Sequence, residues 1–186
     1  SDLHVCTGVM QEGDPLGIVP TVSSTVSMAI GDAIAVCLMH LKDLKKEEFA
    51  LYHPGGVLGK QLLLSVDDLM SEAGELKKID SFHEVLNTIT SYRKGATTVV
   101  NDNGELEGII TDGDLRRTIE RLGKEAFDVT AEEMMNAEPK FVKTGDRAID
   151  VLTFMETEKI SFLPILEGEK LIGCIHIHDL LKEGLK

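Results

Sequence analysis

The chain is expected to fold as an α/β (α+β) protein: two tandem β-α-β-β-α modules behind a shorter segment of strand and helix. Three observations predict this. The sequence matches itself at an offset of about 65 residues, with 66–70 falling on 131–135, 98–110 on 163–175 and 111–115 on 176–180. Self-similarity at a fixed offset marks one structural unit used twice. Within each copy, short apolar runs alternate with helical spacing of apolar residues, as a mixed layered fold requires. Residues 1–64 have no counterpart in either copy.

Taken in order, residues 5–9 are a short strand candidate and 15–20, bounded by Pro15 and Pro20, a loop. The hydroxyl cluster Ser23, Ser24 and Thr25 suits a helix start, and an apolar, small-residue helix is expected over 26–41. In the first copy a short helix carries Leu69 and Met70, and an extended run follows at 76–79. Ser81 then caps a helix with Val85, Leu86 and Ile89 on one face. Two strands joined by an Asn/Gly turn lead into a helix expected to open at Asp114. The second copy repeats this with Met134 and Met135, an extended run at 140–142, a cap at Asp146, and Ile149, Leu152 and Met155 on the helix face. A Glu-Gly turn and a last helix opening at Asp179 complete it. Met70, Met134, Met135 and Met155 are expected to fill the core.

With 42% apolar residues, only 4% aromatic and no Trp, that core must be built from Val, Ile, Leu, Met and Ala. A formal charge of −13 argues against a nucleic-acid or anionic-membrane surface, both of which need clustered Lys and Arg. The apolar stretches read as too short for a membrane span, and residues 1–4 do not begin a secretory signal. Cys6, Cys37 and Cys174 are far apart and odd in number, which fits reduced thiols of a cytoplasmic protein rather than disulfides or zinc.

The spacing Gly108, Thr111, Asp114 resembles the Gly-x-x-Thr-x-x-Asp pattern of the CBS module, and Gly173, His176 and Asp179 stand at the matching places of the second copy. Two such modules cover each other's sheets. The tracts Pro15-Leu16-Gly17, Pro20-Thr21-Val22-Ser23-Ser24-Thr25, Gly31-Asp32-Ala33 and His53-Pro54-Gly55-Gly56, with Leu58 and Gly59, resemble the arabinose-5-phosphate isomerase family. Its members carry a sugar-isomerase (SIS) domain followed by a CBS pair. The resemblance implies a C-terminal SIS remnant over 1–64, a first CBS module over 65–125 and a second over 126–186. Most of the SIS domain is missing, including its phosphate loops and upstream Lys and Glu residues. The activity implied for the parent protein is interconversion of D-ribulose 5-phosphate and D-arabinose 5-phosphate, a precursor step for the lipopolysaccharide sugar Kdo. This chain alone is expected to be inactive.

His53 is the one catalytic candidate: imidazole suits proton transfer between C1 and C2 of an enediol, and by resemblance it reaches a neighbouring subunit's active site. A solvated turn histidine is the plainer reading. Thr111, Asp114, His176 and Asp179 are the candidate ligand positions of the pair, because each Asp follows a strand at a helix start where amides favour phosphate and a carboxylate accepts from ribose hydroxyls. Helix capping alone also accounts for both aspartates. Arg116, with Arg117, offers phosphate contacts or simply a solvated first turn. His176 and His178 alternate and would face opposite ways on a continuing strand, so no metal site is expected. No cofactor is required. The expected regulatory ligand is CMP-Kdo or an adenine nucleotide, and the expected assembly is a dimer of CBS pairs within a tetrameric parent. The alternative is a pair that holds an oligomer together and binds no small molecule.

Overall fold

The structure is a computed structural model that describes residues 4–52 and 56–185. It divides into two compact units, Ser1–Phe49 and Ala50–Lys186.

In the first unit the strand expected at 5–9 does not form; the segment is irregular and exposed. It is tied to α1 (Val22–Leu41) by Glu12, whose carboxylate accepts from the amides of Thr21 at 2.9 Å and Ser23 at 3.2 Å. Glu12 therefore does the capping expected of the Ser23 cluster, supplying acceptor oxygens to helix N–H groups that have no partner within the helix. Hydrogen bonds from the Ser23 side chain and the Thr21 and Ser23 amides hold its acid at about 2. Helix α1 has 20 residues, none of them buried. Its mean hydropathy of 1.7 and its length match those of a membrane span, contrary to the sequence expectation, since Asp32 is the only Asp, Glu, Lys or Arg across it. By the same test a helix covered by further protein qualifies.

Helices α2 (Lys46–Tyr52) and α3 (Val57–Leu63) follow. In the second unit, Lys60 of α3 pairs with Glu183 at 2.9 Å. A 3-10 turn (Val66–Asp68) opens the first repeat, which continues through β1 (Glu75–Leu76), α4 (Phe82–Tyr92), β2 (Ala96–Val100), β3 (Leu106–Thr111) and α5 (Asp112–Leu122). After a 3-10 stretch (Gly123–Asp128), the second repeat runs through α6 (Ala131–Met134), β4 (Val142–Lys143), α7 (Ala148–Glu158), β5 (Phe162–Glu167), β6 (Lys170–His176) and α8 (Ile177–Lys182). Each has a three-stranded sheet, β1-β2-β3 and β4-β5-β6, with the first pair parallel and the second antiparallel. This is the β-α-β-β-α order read from the sequence.

The register corrects the offset. Ala96 faces Thr111 as Phe162 faces His176, and Val99 faces Gly108 as Ile165 faces Gly173. The first strand of each hairpin therefore repeats at 66 residues and the second at 65. One extra residue in the first hairpin's turn, held by Asn101 accepting from the amides of Asn103 and Glu105, accounts for the difference.

Capping follows chemistry more closely than sequence position. Ser81 caps α4, and Glu84 returns a bond to its amide in a reciprocal box. Asp146 does not cap α7; it accepts from the Lys143 amide at 2.8 Å, and the cap position is Arg147. Nor do Asp114 and Asp179 open their helices. The caps are Thr111 and His176, and each aspartate stands three residues further on.

The two repeats exchange their leading segments. Val66 and Leu69 pack into the core of the second repeat with Val151, Leu152, Met155, Ile165, Ile175 and Leu180. Val129, Ala131 and Met134 pack into the first, with Val85, Ile89, Val99 and Ile110. A third cluster (Ala73, Ala96, Ile109, Phe162, Cys174) lies between the sheets. Backbone bridges mark the exchange on both sides: Ser71 pairs with Cys174 and Asn136 with Ile109. Gly108 and Gly173 allow it. A Cβ at Gly173 would stand 2.9 Å from the Ser71 carbonyl oxygen, and one at Gly108 would stand 2.6 Å from Met135 Sδ. Met134 and Met155 are buried, but Met70 is 41% exposed and lies over Gly173 rather than filling the core.

Candidate functional site

Because the repeats meet along their hairpins, the ends of β2, β3, β5 and β6 converge on one cleft of about 750 Å³. That volume suits a nucleotide-sized ligand. Its floor is apolar, from Ala96, Ile109, Phe162 and Leu163. Thr111, Asp112 and Gly113 enter at the start of α5, and His176 and His178 at the start of α8. Four cations, Arg93, Lys94, Lys140 and Lys159, stand on it against Asp112 and Glu138, although the whole chain carries a charge of −13. The cleft is thus locally suited to an anion.

Two of those cations are engaged: Lys140 pairs with Glu158, and Lys94 with Asp179. Among the described residues, Arg93 and Lys159 have no ion pair. Both are helix C-caps in the left-handed region, at φ 54° and 56°, and they occupy equivalent places in the two repeats. A left-handed backbone at a long side chain is uncommon and costs about 1 kcal/mol or more, so its occurrence at two equivalent positions lining one cleft favours a role there.

Thr111 and His176 line this cleft together. The Asp114 carboxylate turns back into its own helix start, accepting from the Thr111 amide at 2.8 Å, the Thr111 hydroxyl at 2.6 Å and Arg117 at 2.6 Å. Burial pushes its pKa up, but the bonds from Thr111 and Arg117 outweigh it and leave the carboxyl below its ordinary value. Asp179 lies on a second, smaller cavity of about 280 Å³ with Asp68, Met70, Ser71, Lys94 and Lys182. Burial and the Lys94 bond oppose each other there, and the bond wins, again lowering the acid. Arg116 is on the exposed face of α5, outside the cleft lining. His53, with Pro54 and Gly55, lies outside the described residues.

The histidines do not face opposite ways, because β6 ends at His176 and α8 begins at Ile177. Their ring centroids are 5.0 Å apart, and His176 Nδ1 accepts from the His178 amide at 3.2 Å. Burial, then the nearby His178 and Lys94, lowers the His176 pKa, consistent with a neutral capping imidazole. Among the described residues no group of three or more His, Cys, Asp or Glu could hold a metal ion. Burial raises the Cys174 thiol, which makes it an inert core residue.

Sequence reasoning passed over Arg93, Lys94 and Lys159. Their signal was positional: each follows directly on a helix end and precedes a strand of the repeat, where the chain turns toward the opposite module.

The family model described as the CBS domain matches residues 65–121 and 131–186. Arabinose 5-phosphate isomerase KdsD of Escherichia coli K12 is 38% identical over 188 residues, which covers 100% of this chain and 57% of that protein. The chain thus spans somewhat more than half the length of the curated relatives it matches. Among solved structures, the CBS-domain protein ATU1752 of Agrobacterium tumefaciens superposes with a TM-score of 0.58 at 21% identity, covering 64% of this chain and 98% of that one. CBSX2 in complex with AMP gives a TM-score of 0.56 at 21% identity, covering 65% and 96%. The two matched segments coincide with the two exchanged repeats, and the chain belongs to the CBS domain family as a tandem pair of its modules.

Proposed function

We propose that this chain is the regulatory portion of a D-arabinose 5-phosphate isomerase, and that its CBS pair senses a nucleotide or nucleotide sugar such as CMP-Kdo in the cleft between the modules. The observation that carries the reading is the match to KdsD along the whole chain, first unit included. In this reading the parent interconverts D-ribulose 5-phosphate and D-arabinose 5-phosphate, with His53 moving the proton between C1 and C2 in a neighbouring subunit's site. The exposed apolar α1 is then a helix of the isomerase domain that further polypeptide covers. An aspartate at the middle of a membrane helix costs about 3 kcal/mol, so Asp32 favours protein over lipid as that cover. A cytoplasmic homo-oligomer follows from the same reading.

The cleft supports an anionic ligand through Arg93 and Lys159 in its lining, an apolar floor for a base, and Thr111 beside the first turn of α5. The test is sugar-phosphate turnover by the full polypeptide that carries this chain, with and without CMP-Kdo, AMP and ATP. The expected result is isomerisation that one of these ligands lowers and that His53→Ala abolishes. Absence of isomerisation would overturn the activity. Isomerisation indifferent to all three ligands would overturn sensing of them and leave the pair as an oligomerisation module.

A further inference from the structure

The two modules are related by an approximate twofold, so a ligand position on one side of the pair should recur on the other. The hairpin register and the helix caps define the equivalents: Thr111 with His176, Asp114 with Asp179, Arg93 with Lys159, and Lys94 with Ile160. The last correspondence breaks the symmetry. Lys94 reaches across to the second module and places its ammonium 2.6 Å from Asp179 Oδ2, with both side chains only about a fifth exposed, at 20% and 22%. Ile160 offers Asp114 nothing comparable, and among the described residues the only cation paired with Asp114 is Arg117 of its own helix, whose side chain is 70% exposed.

The cavities differ accordingly. The cleft of about 750 Å³ bears Thr111, Asn136 and Ile160, with His176 and His178 also reaching it, and Asp114 does not line it. The smaller cavity, bearing Asp179, Ser71 and Lys94, holds about 280 Å³, just short of the range of about 300–1,000 Å³ that buries an organic ligand. An ammonium donates to a carboxylate as a ligand's hydroxyls would, with a charge in addition. Lys182, with its Nζ 3.6 Å from Asp179 Oδ1, adds a second cation to the same carboxylate.

We propose that Lys94 is a built-in occupant of the second ligand position, so that the pair takes one ligand rather than two. This rests on the reading of the large cleft as a ligand site. The ligand class is an anion carrying a polar, hydroxyl-rich body, and it enters the large cleft that Thr111 and His176 line, not the Asp179 cavity. Lys94 lines both cavities and also locks the second module's last helix to the first module.

Two measurements on the full chain test this. Brief acylation with a small anhydride, read by peptide mass spectrometry, should modify Lys94 at least tenfold more slowly than Lys159 or Lys182. Asp179→Asn should raise the Lys94 rate to theirs. Titration calorimetry with AMP as probe should give one equivalent for the native chain and two for Lys94→Ala. Acylation of Lys94 as fast as Lys159 overturns the proposal, as do two equivalents in the native chain or an unchanged single equivalent in Lys94→Ala. Should AMP bind to neither chain, the reading of the cleft as an AMP site fails, and the acylation rates still decide whether Lys94 occupies Asp179.

Discussion

Replacing Gly173 with Ala tests the exchange of leading segments between the modules. The new Cβ would stand 2.9 Å from the Ser71 carbonyl oxygen and 3.4 Å from Met70 Sδ. That carbonyl accepts from the Cys174 amide at 2.9 Å, and the Ser71 amide returns the bond at 2.9 Å, so relieving the clash means pulling apart the bridge that holds one module's leader on the other's sheet. Overpacking of this kind costs about 1–3 kcal/mol. Gly173 is not at positive φ, so alanine also gains back about 0.4–1 kcal/mol of unfolded-chain entropy. The net expectation is a loss of about 1–2 kcal/mol, or about 3–8 °C in Tm for a unit of this size. Thermal unfolding followed by circular dichroism measures it. Gly108→Ala supplies the comparison, because its two nearest neighbours are Met135 Sδ at 2.6 Å and Cγ at 3.0 Å, part of a flexible side chain, and the Asn136 carbonyl oxygen, at 3.1 Å, is less crowded than that of Ser71. Met135→Ala should therefore rescue much of Gly108→Ala, with a coupling of about 1 kcal/mol, whereas Met70→Ala should leave Gly173→Ala essentially unrescued. A Gly173→Ala chain as stable as the parent, or one rescued by Met70→Ala, would refute the argument.

Met155 is fully buried in the second module's core, and Met155→Ala should cost about 2–5 kcal/mol in urea unfolding. Ser81→Ala removes the hydroxyl half of the reciprocal cap on α4 and leaves the Glu84 carboxylate on the backbone amide, and should cost about 1 kcal/mol by the same assay. His176 must be neutral to accept from the His178 amide, and its folded pKa lies below the unfolded value of 6.5. The cap's contribution, about 1 kcal/mol, is then complete above about pH 6.5 and is lost as pH falls through the lower folded pKa. His176→Thr, which copies Thr111, should flatten this part of the stability–pH curve; an unaltered slope in that variant would refute the assignment.

The repeated grammar was legible because it is local. Strand order, the Ser81 cap, the apolar face of α7 and the Val85 and Ile89 face of α4 all follow from spacing within a dozen residues, whereas Leu86, expected on the α4 face, is 41% exposed and Phe82 is buried there instead. What spacing does not carry is the partner. Val66 and Val129 read as the start of their own repeats, yet each is buried in the other one, a choice made by sheet edges far away in sequence. The one-residue slip in the first strands arose because a turn length was assumed equal in both hairpins. Asp114 and Asp179 were placed at the right ends of the right helices but three residues from the cap, since a reciprocal box gives the first position to Thr111 in one copy and the His176 imidazole, accepting from the His178 amide, takes it in the other. The cleft itself was half legible: Thr111 and His176 line it, while Arg93, Lys94 and Lys159 belong to it only through tertiary convergence. Helix α1 was underrated as a possible membrane span because Asp32 divides its apolar run.

The most direct test of the central claim is calorimetric titration of the full chain with CMP-Kdo, AMP and ATP, beside an Arg93→Ala, Lys159→Ala double variant. Each lost bond from these cations to a ligand anion is worth about 1.5 kcal/mol or more, so affinity should fall by about a hundredfold in the double variant. Saturable heat for at least one ligand, weakened to that extent, is the predicted result. Absence of heat with all three, or binding that the double variant leaves unchanged, would contradict a sensing role for this cleft.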